Sequence, residues 1–213
     1  NVIFDGLTIA DGFFTGAVLQ CGIASDKGGG GILNDGANVT VMNSTFTDNS
    51  ADCGGAILND GTLTVMNSTF TGNSADFGSG GGIDNRSVAT ATVTDSQISG
   101  NSATQNGGSI TNFGTITVTR STLNSNTADN WGGGIYSQHS IHVSNSTLSG
   151  NTAADGGGIN IFCTSGSSTV NNSTMTGNRV TNAGGGGGIA TDGDGCSSGT
   201  ITIGNSIISG NII

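Results

Sequence analysis

The chain has 213 residues, of which 40 are Gly and none Pro; charged residues make up 8%, and the net charge is −10. With only four Lys and Arg, this acidic balance excludes nucleic acid and anionic lipid surfaces as partners. Every acid is Asp and only one Lys is present, so helical repeats are excluded on propensity, and no run approaches the roughly 18 apolar residues of a membrane-spanning helix, so membrane insertion is not expected.

Residues 1–12 read as a strand, with Phe4 and Ile9 already in the frame of the repeat that follows. Residues 13–31 read as an irregular lateral link. From there the chain is a repeat, clearest over residues 54–73. A glycine-rich start leads to an isoleucine (Ile32, Ile57, Ile83, Ile110, Ile135, Ile159 and Ile189), at spacings of 24 to 30 residues. Each copy closes on an asparagine: Asn49, Asn73, Asn101, Asn126, Asn151, Asn178 and Asn211. Val41, Val65, Val93, Val118, Val143, Val170 and Ile203 all sit eight residues before that asparagine. Phe46, Phe70, Ile98, Leu123, Leu148, Met175 and Ile208 all sit three before it. Period-two alternation such as Leu63/Val65 and Ile116/Val118 specifies short strands. One repeat then makes one coil of a parallel β-solenoid, the fixed slots stack as inward ladders, and about eight coils of roughly 25 residues form one domain over residues 1–213.

The glycines before each isoleucine read as turns needing positive φ or close backbone approach rather than as a phosphate loop, since no helix or Lys-Ser/Thr follows. Asn43, Asn67, Asn145, Asn172 and Asn205, together with the closing asparagines, are expected to form hydrogen-bonded ladders. Asn43, Asn67, Asn145 and Asn172 also open Asn-Ser-Thr sequons, open to glycosylation where the source supports it. Ala51, Ala75, Ala103, Ala128 and Ala153 read as small inward residues at a tight corner. Cys163 and Cys196 lie seven residues before Val170 and Ile203, so stacking brings them within disulfide range. Cys21 and Cys53 both precede a glycine-rich start and form the second expected pair. Two staples imply an oxidising, extracellular or cell-surface setting. His139 and His142 are far in sequence from every cysteine, so no metal or other cofactor is expected.

Gly54-Gly55-Ala56-Ile57 forms a GGAI motif, and residues 46–49 and 70–73 form FxxN motifs (FTDN and FTGN). Degenerate versions recur as GGSI at 107–110, GGGI at 132–135, LSGN at 148–151 and MTGN at 175–178. The alternation resembles the repeats of chlamydial polymorphic outer-membrane proteins and related bacterial β-helix surface proteins. The resemblance implies a right-handed, single-stranded parallel β-helix, a secreted or surface location, and an adhesive or structural role.

Three function classes follow. An enzyme acting on polysaccharide needs clustered Asp and a basic residue in one groove. Here the Asp residues are scattered, Arg86, Arg120 and Arg179 occupy different slots, and Asp192 and Asp194 read as a solvated turn in preference to a weak calcium site, so no catalytic residue is expected. An ice- or crystal-binding solenoid would use a flat outward face of Thr45, Thr47, Thr69, Thr71, Thr122, Thr147, Thr174 and Thr176, interrupted at Ala10, Gln97, Asn124 and Ile207. A structural or adhesive rod needs neither; it would associate end to end with other copies or continue a longer solenoid, and would meet a host or surface ligand.

Overall fold

A computed structural model of the chain describes residues 1–15, 28–162, 166–182, 185–192 and 200–213. In the circuit that begins at Ile57, the strand Ile57–Asn59 is followed by Thr62–Met66, Thr69–Thr71 and Ser74–Ala75. Each strand pairs in parallel with its equivalents in the neighbouring circuits, which builds four sheets: an isoleucine sheet of seven strands, a long sheet of eight, a threonine sheet of eight and a short sheet of seven. The chain is thus a parallel β-solenoid, whose described residues form seven four-strand circuits and a two-strand half circuit. Phe13–Phe14, expected to lie in an irregular link, instead forms the first strand of the short sheet, paired with Ser50 and Ala51.

The alternation drives this winding. In Thr62–Met66, Leu63 and Val65 are fully buried while Thr62 is exposed. Register is exact down the stack: Val41 pairs with Val65, Val65 with Val93, Val93 with Val118, Val118 with Val143, Val143 with Val170 and Val170 with Ile203. The second ladder runs Phe46, Phe70, Ile98, Leu123, Leu148, Met175 and Ile208. Phe46 and Phe70 stack face to face with ring centroids 4.6 Å apart. From Val41 to Val170 and from Phe46 to Met175 both ladders are fully buried; Ile203 and Ile208 hold the register but stay 47% and 43% exposed at the last strands of their sheets. Apolar contact between stacked circuits therefore supplies a continuous core without any circuit having a core of its own.

Simple alternation fails on the isoleucine sheet. Leu58, Asp84, Thr111, Tyr136 and Asn160 face away from the core, yet all are buried. The glycine-rich link folds back over them. Gly54, Gly80, Gly107, Gly132 and Gly156 each have a φ between +62° and +74°. A methyl group on Gly80 would sit 2.8 Å from the Asp84 Cα. The following glycine, such as Gly81, lies against the carbonyls of Gly108 and Ser102 in the next circuit, where no side chain fits.

Candidate functional site: corners and hydroxyl ranks

Two corners position the surface. Between the long and threonine sheets, Asn43, Asn67, Asp95, Arg120, Asn145, Asn172 and Asn205 all adopt positive φ, from 47° to 51°. Asn and Asp accept this region readily and Arg does so rarely. The residue after each of them is a serine. Ser68 Oγ accepts the Ser44 N–H at 3.2 Å and donates to the Met66 carbonyl at 2.7 Å, and the pattern repeats through Ser96, Ser121, Ser146 and Ser173. Between the threonine and short sheets the closing asparagines from Asn49 to Asn178 are buried, and Asn211 is half-buried. Asn73 Nδ2 donates to Asn101 Oδ1 at 2.8 Å and to the Phe46 carbonyl at 3.1 Å, while Asn101 Oδ1 also accepts the Asn73 N–H at 2.9 Å. The same ladder runs from Asn49 to Asn211.

The expectation that both asparagine files would form ladders is therefore corrected. The closing asparagines do; Asn43, Asn67, Asn145, Asn172 and Asn205 are exposed turn residues. Among them only Asn43 makes a side-chain hydrogen bond among the described residues, to Asp5 Oδ1 at 2.8 Å. Two ladders escaped sequence reasoning. One is the serine file, whose signal was a Ser five residues before every closing asparagine. The other joins Asn34, Asn59, Asn85 and Asn112 and ends on Ser137; each of these asparagines lies two residues after a repeat isoleucine.

Threonine side chains emerge in straight files. On the threonine sheet one file reads Thr8, Thr45, Thr69, Gln97, Thr122, Thr147, Thr174 and Ile207. The second reads Ala10, Thr47, Thr71, Ser99, Asn124, Ser149, Thr176 and Ser209 in the same registers. The adjoining long sheet carries an unanticipated file of Thr40, Thr64, Thr92, Thr117, His142, Thr169 and Thr202. Its signal was Thr alternating with the inward valines. Equivalent hydroxyls repeat at the circuit spacing of roughly 4.8 Å.

Charge is sparse and stands outside these files. Arg120 Nε and Nη2 donate to Asp95 Oδ1 and Oδ2 at 2.7 and 2.8 Å across the first corner. The bonds to Arg120 hold the Asp95 carboxyl below its ordinary value, and the bonds to Asp95 raise the Arg120 guanidinium. Under the glycine link, Arg86 Nε lies 2.9 Å from Asp84 Oδ2 without hydrogen-bond alignment. Burial lifts the Asp84 carboxyl to about 6 against the pull of Arg86, with Asp60 adding to the rise.

Cys53 is buried and disulfide-bonded. Cys21, Cys163 and Cys196 lie outside the described residues, as do Asp194 and the side chain of Asp192. Arg86 follows the isoleucine-sheet strand Ile83–Asn85, Arg120 stands at the first corner, and Arg179 opens a strand of the short sheet. His142 Nδ1 lies 3.1 Å from Thr169 Oγ1, within the hydroxyl file. Among the described residues no group of three His, Cys, Asp or Glu is placed to hold a metal ion, and no helix is long and apolar enough to cross a membrane.

Residues 43–60 and 120–138 match the family model of the Chlamydia polymorphic membrane protein repeat. No curated protein and no solved structure matches the chain. The two matched stretches are equivalent in the stack. Each starts on a first-corner residue, Asn43 or Arg120, and passes the closing asparagine and the glycine link to the isoleucine sheet. The chain is a parallel β-solenoid, two stretches of which match the repeat of the Chlamydia polymorphic membrane proteins.

Proposed function

We propose that the chain is a non-catalytic extracellular rod, displayed at a cell surface, with a structural and adhesive role. The repeat it shares with polymorphic membrane proteins supports the location. The observation that carries the role is the register: equivalent outward side chains stand directly above one another on two adjoining sheets, giving flat, uncharged hydroxyl ranks suited to a repetitive surface ligand. The oxidised Cys53 fits an oxidising compartment, and pairing of Cys21 with Cys53 and of Cys163 with Cys196 belongs to this proposal. So does stacking of further circuits, from another copy or from more of the same solenoid, on the strand edges that leave Ile203 and Ile208 exposed. Antibody raised against the purified chain should label intact source cells; labelling that appears only after lysis would overturn the reading.

A second reading is favoured by one observation: the side chains of Thr45, Thr69, Thr122, Thr147 and Thr174 make no hydrogen bond among the described residues, so five hydroxyls of one file are free to order water. On this reading the face binds ice. Thermal hysteresis that disappears in Thr69→Tyr is the expected result, and its absence in the unaltered chain removes the reading.

A further inference from the structure

The first corner and the neighbouring threonine file break their pattern at the same place. Gln97 stands where the circuits on either side have Thr69 and Thr122. Asp95 and Arg120 stand where five other circuits have Asn. Arg120 takes a φ of 48°, a region costly for a long side chain, although the corner is plainly served by Asn. An exposed ion pair adds little to stability, and this one is exposed, with side chains 55% and 42% accessible. A strained, charged substitution that the fold does not require points to a use outside the fold.

These residues share one shallow depression of about 490 Å³, lined by Asn67, Thr69, Asp95, Gln97, Arg120 and Thr122. Its floor is Ser68 and Ser96 of the buried serine ladder, so its base is rigid. The side chains of Asn67, Thr69, Gln97 and Thr122 make no hydrogen bond among the described residues. Arg120 retains the N–H groups not directed at Asp95, and the Asp95 oxygens retain lone pairs. Three circuits contribute, so the array spans roughly 10 Å.

We propose that this depression is a subsite for a neutral saccharide, one or two pyranose units of a surface glycan. The paired charges cancel, so an acidic ligand meets Asp95 and a basic one meets Arg120. No aliphatic or aromatic side chain lines the wall, which disfavours an apolar ligand. What fits is an uncharged group dense in adjacent donors and acceptors, and the vicinal hydroxyls of a sugar match a guanidinium, a carboxylate and two amides set side by side. The inference deepens the adhesive reading and rests on it for its biology, while the binding itself is measurable without it.

The test is an NMR titration of the full chain with the methyl glycosides of mannose, galactose and glucose. At least one sugar should give saturable shifts at the Arg120 Nε–H and at the side-chain amides of Gln97 and Asn67. Asn145 and Asn172, on the same corner, should not move. The double variant Gln97→Thr/Arg120→Asn copies the neighbouring circuits, so it should keep a dispersed spectrum while its affinity falls at least about tenfold. Absence of saturable shifts with all three sugars, equal shifts at Asn145, or full binding by the double variant would overturn the proposal. Such a failure leaves surface display to be judged separately, by antibody labelling.

Discussion

The two corners that flank the threonine sheet solve the same problem with different reach. Each uses a residue of positive φ followed by a buried polar one whose oxygen receives the backbone N–H of the circuit before. At the first corner the buried residue is Ser, and its own hydrogen returns to a carbonyl two residues back in the same circuit. At the second it is Asn, whose amide donates onward to the next Asn and also to the strand carbonyl of the preceding circuit. The serine corner closes each turn locally. The asparagine corner ties three successive circuits together, so inter-circuit cooperativity is concentrated there.

The sharpest way to break this comparison is Asn101→Ala. It removes the acceptor of both the Asn73 N–H and the Asn73 side chain, and the donor to the Phe70 carbonyl, all in a buried site. Orphaned buried groups cost about 1–3 kcal/mol each, so a loss of about 4 kcal/mol is expected. In a chain of this size that lowers Tm by roughly 10 °C. Calorimetry checks the magnitude, and hydrogen exchange should show the Asn73 amide losing protection. A cost no larger than that of a serine-corner variant would collapse the distinction.

Next in size is an effect that should bypass both corners, because neither ladder contains a titratable group. Asp84 is fully buried under the glycine link, and its carboxyl rises from 3.8 to about 6. The folded state therefore binds this proton more tightly than the unfolded chain does. Stability from Asp84 is fully present below the unfolded value and is lost as pH rises through about 6. The loss is on the order of 3 kcal/mol between pH 3.5 and pH 7. Asp84→Asn should abolish that slope and stabilise the chain at pH 7, as read by Tm against pH. Survival of the slope in Asp84→Asn would place the titrating group elsewhere.

Much of this is legible in the sequence. The valine and phenylalanine ladders announce themselves because their distances from the closing asparagine never vary. The solenoid follows, since only circuit-on-circuit stacking buries so few apolar residues per repeat. The serine ladder was hidden by its setting, because Ser44, Ser68, Ser146 and Ser173 each fall inside an Asn-Ser-Thr triplet that reads as a sequon or a turn. The buried outer face of the isoleucine sheet was illegible for another reason. Alternation places Leu58 and Tyr136 outward, and only the fold-back of the glycine link covers them. The Asp95–Arg120 site was missed because each residue alone looks like a solvated surface charge; register is what brings them together.

A smaller effect sharpens the serine side. Ser121→Ala removes the acceptor of the Ser96 N–H and the donor to the Thr119 carbonyl, and it leaves a methyl group that fits the space. The Thr119 carbonyl still accepts the Asp95 N–H at 3.1 Å, so only the Ser96 N–H is orphaned and the expected cost is about 1–2 kcal/mol. Chemical denaturation of Ser121→Ala beside Asn101→Ala measures the ratio between the corners directly. Equal values would mean that the onward amide bonds contribute nothing.

The smallest effect separates the turn residue from the ladder residue behind it. Gly100 at the second corner has a φ of +64° and open space where a side chain would go. Gly100→Ala therefore meets no clash and carries only the left-handed backbone penalty, about 1 kcal/mol. Gly100→Asn places at the second corner the residue that the first corner uses at Asn67 and Asn145, and it should cost less than about 0.5 kcal/mol. If the corners differ only in the buried residue, their turn positions are interchangeable and Asn is tolerated at both. A penalty for Gly100→Asn as large as that for Gly100→Ala would show that the second corner demands glycine for a reason beyond φ, and the two turns would then differ in geometry as well as in hydrogen bonding.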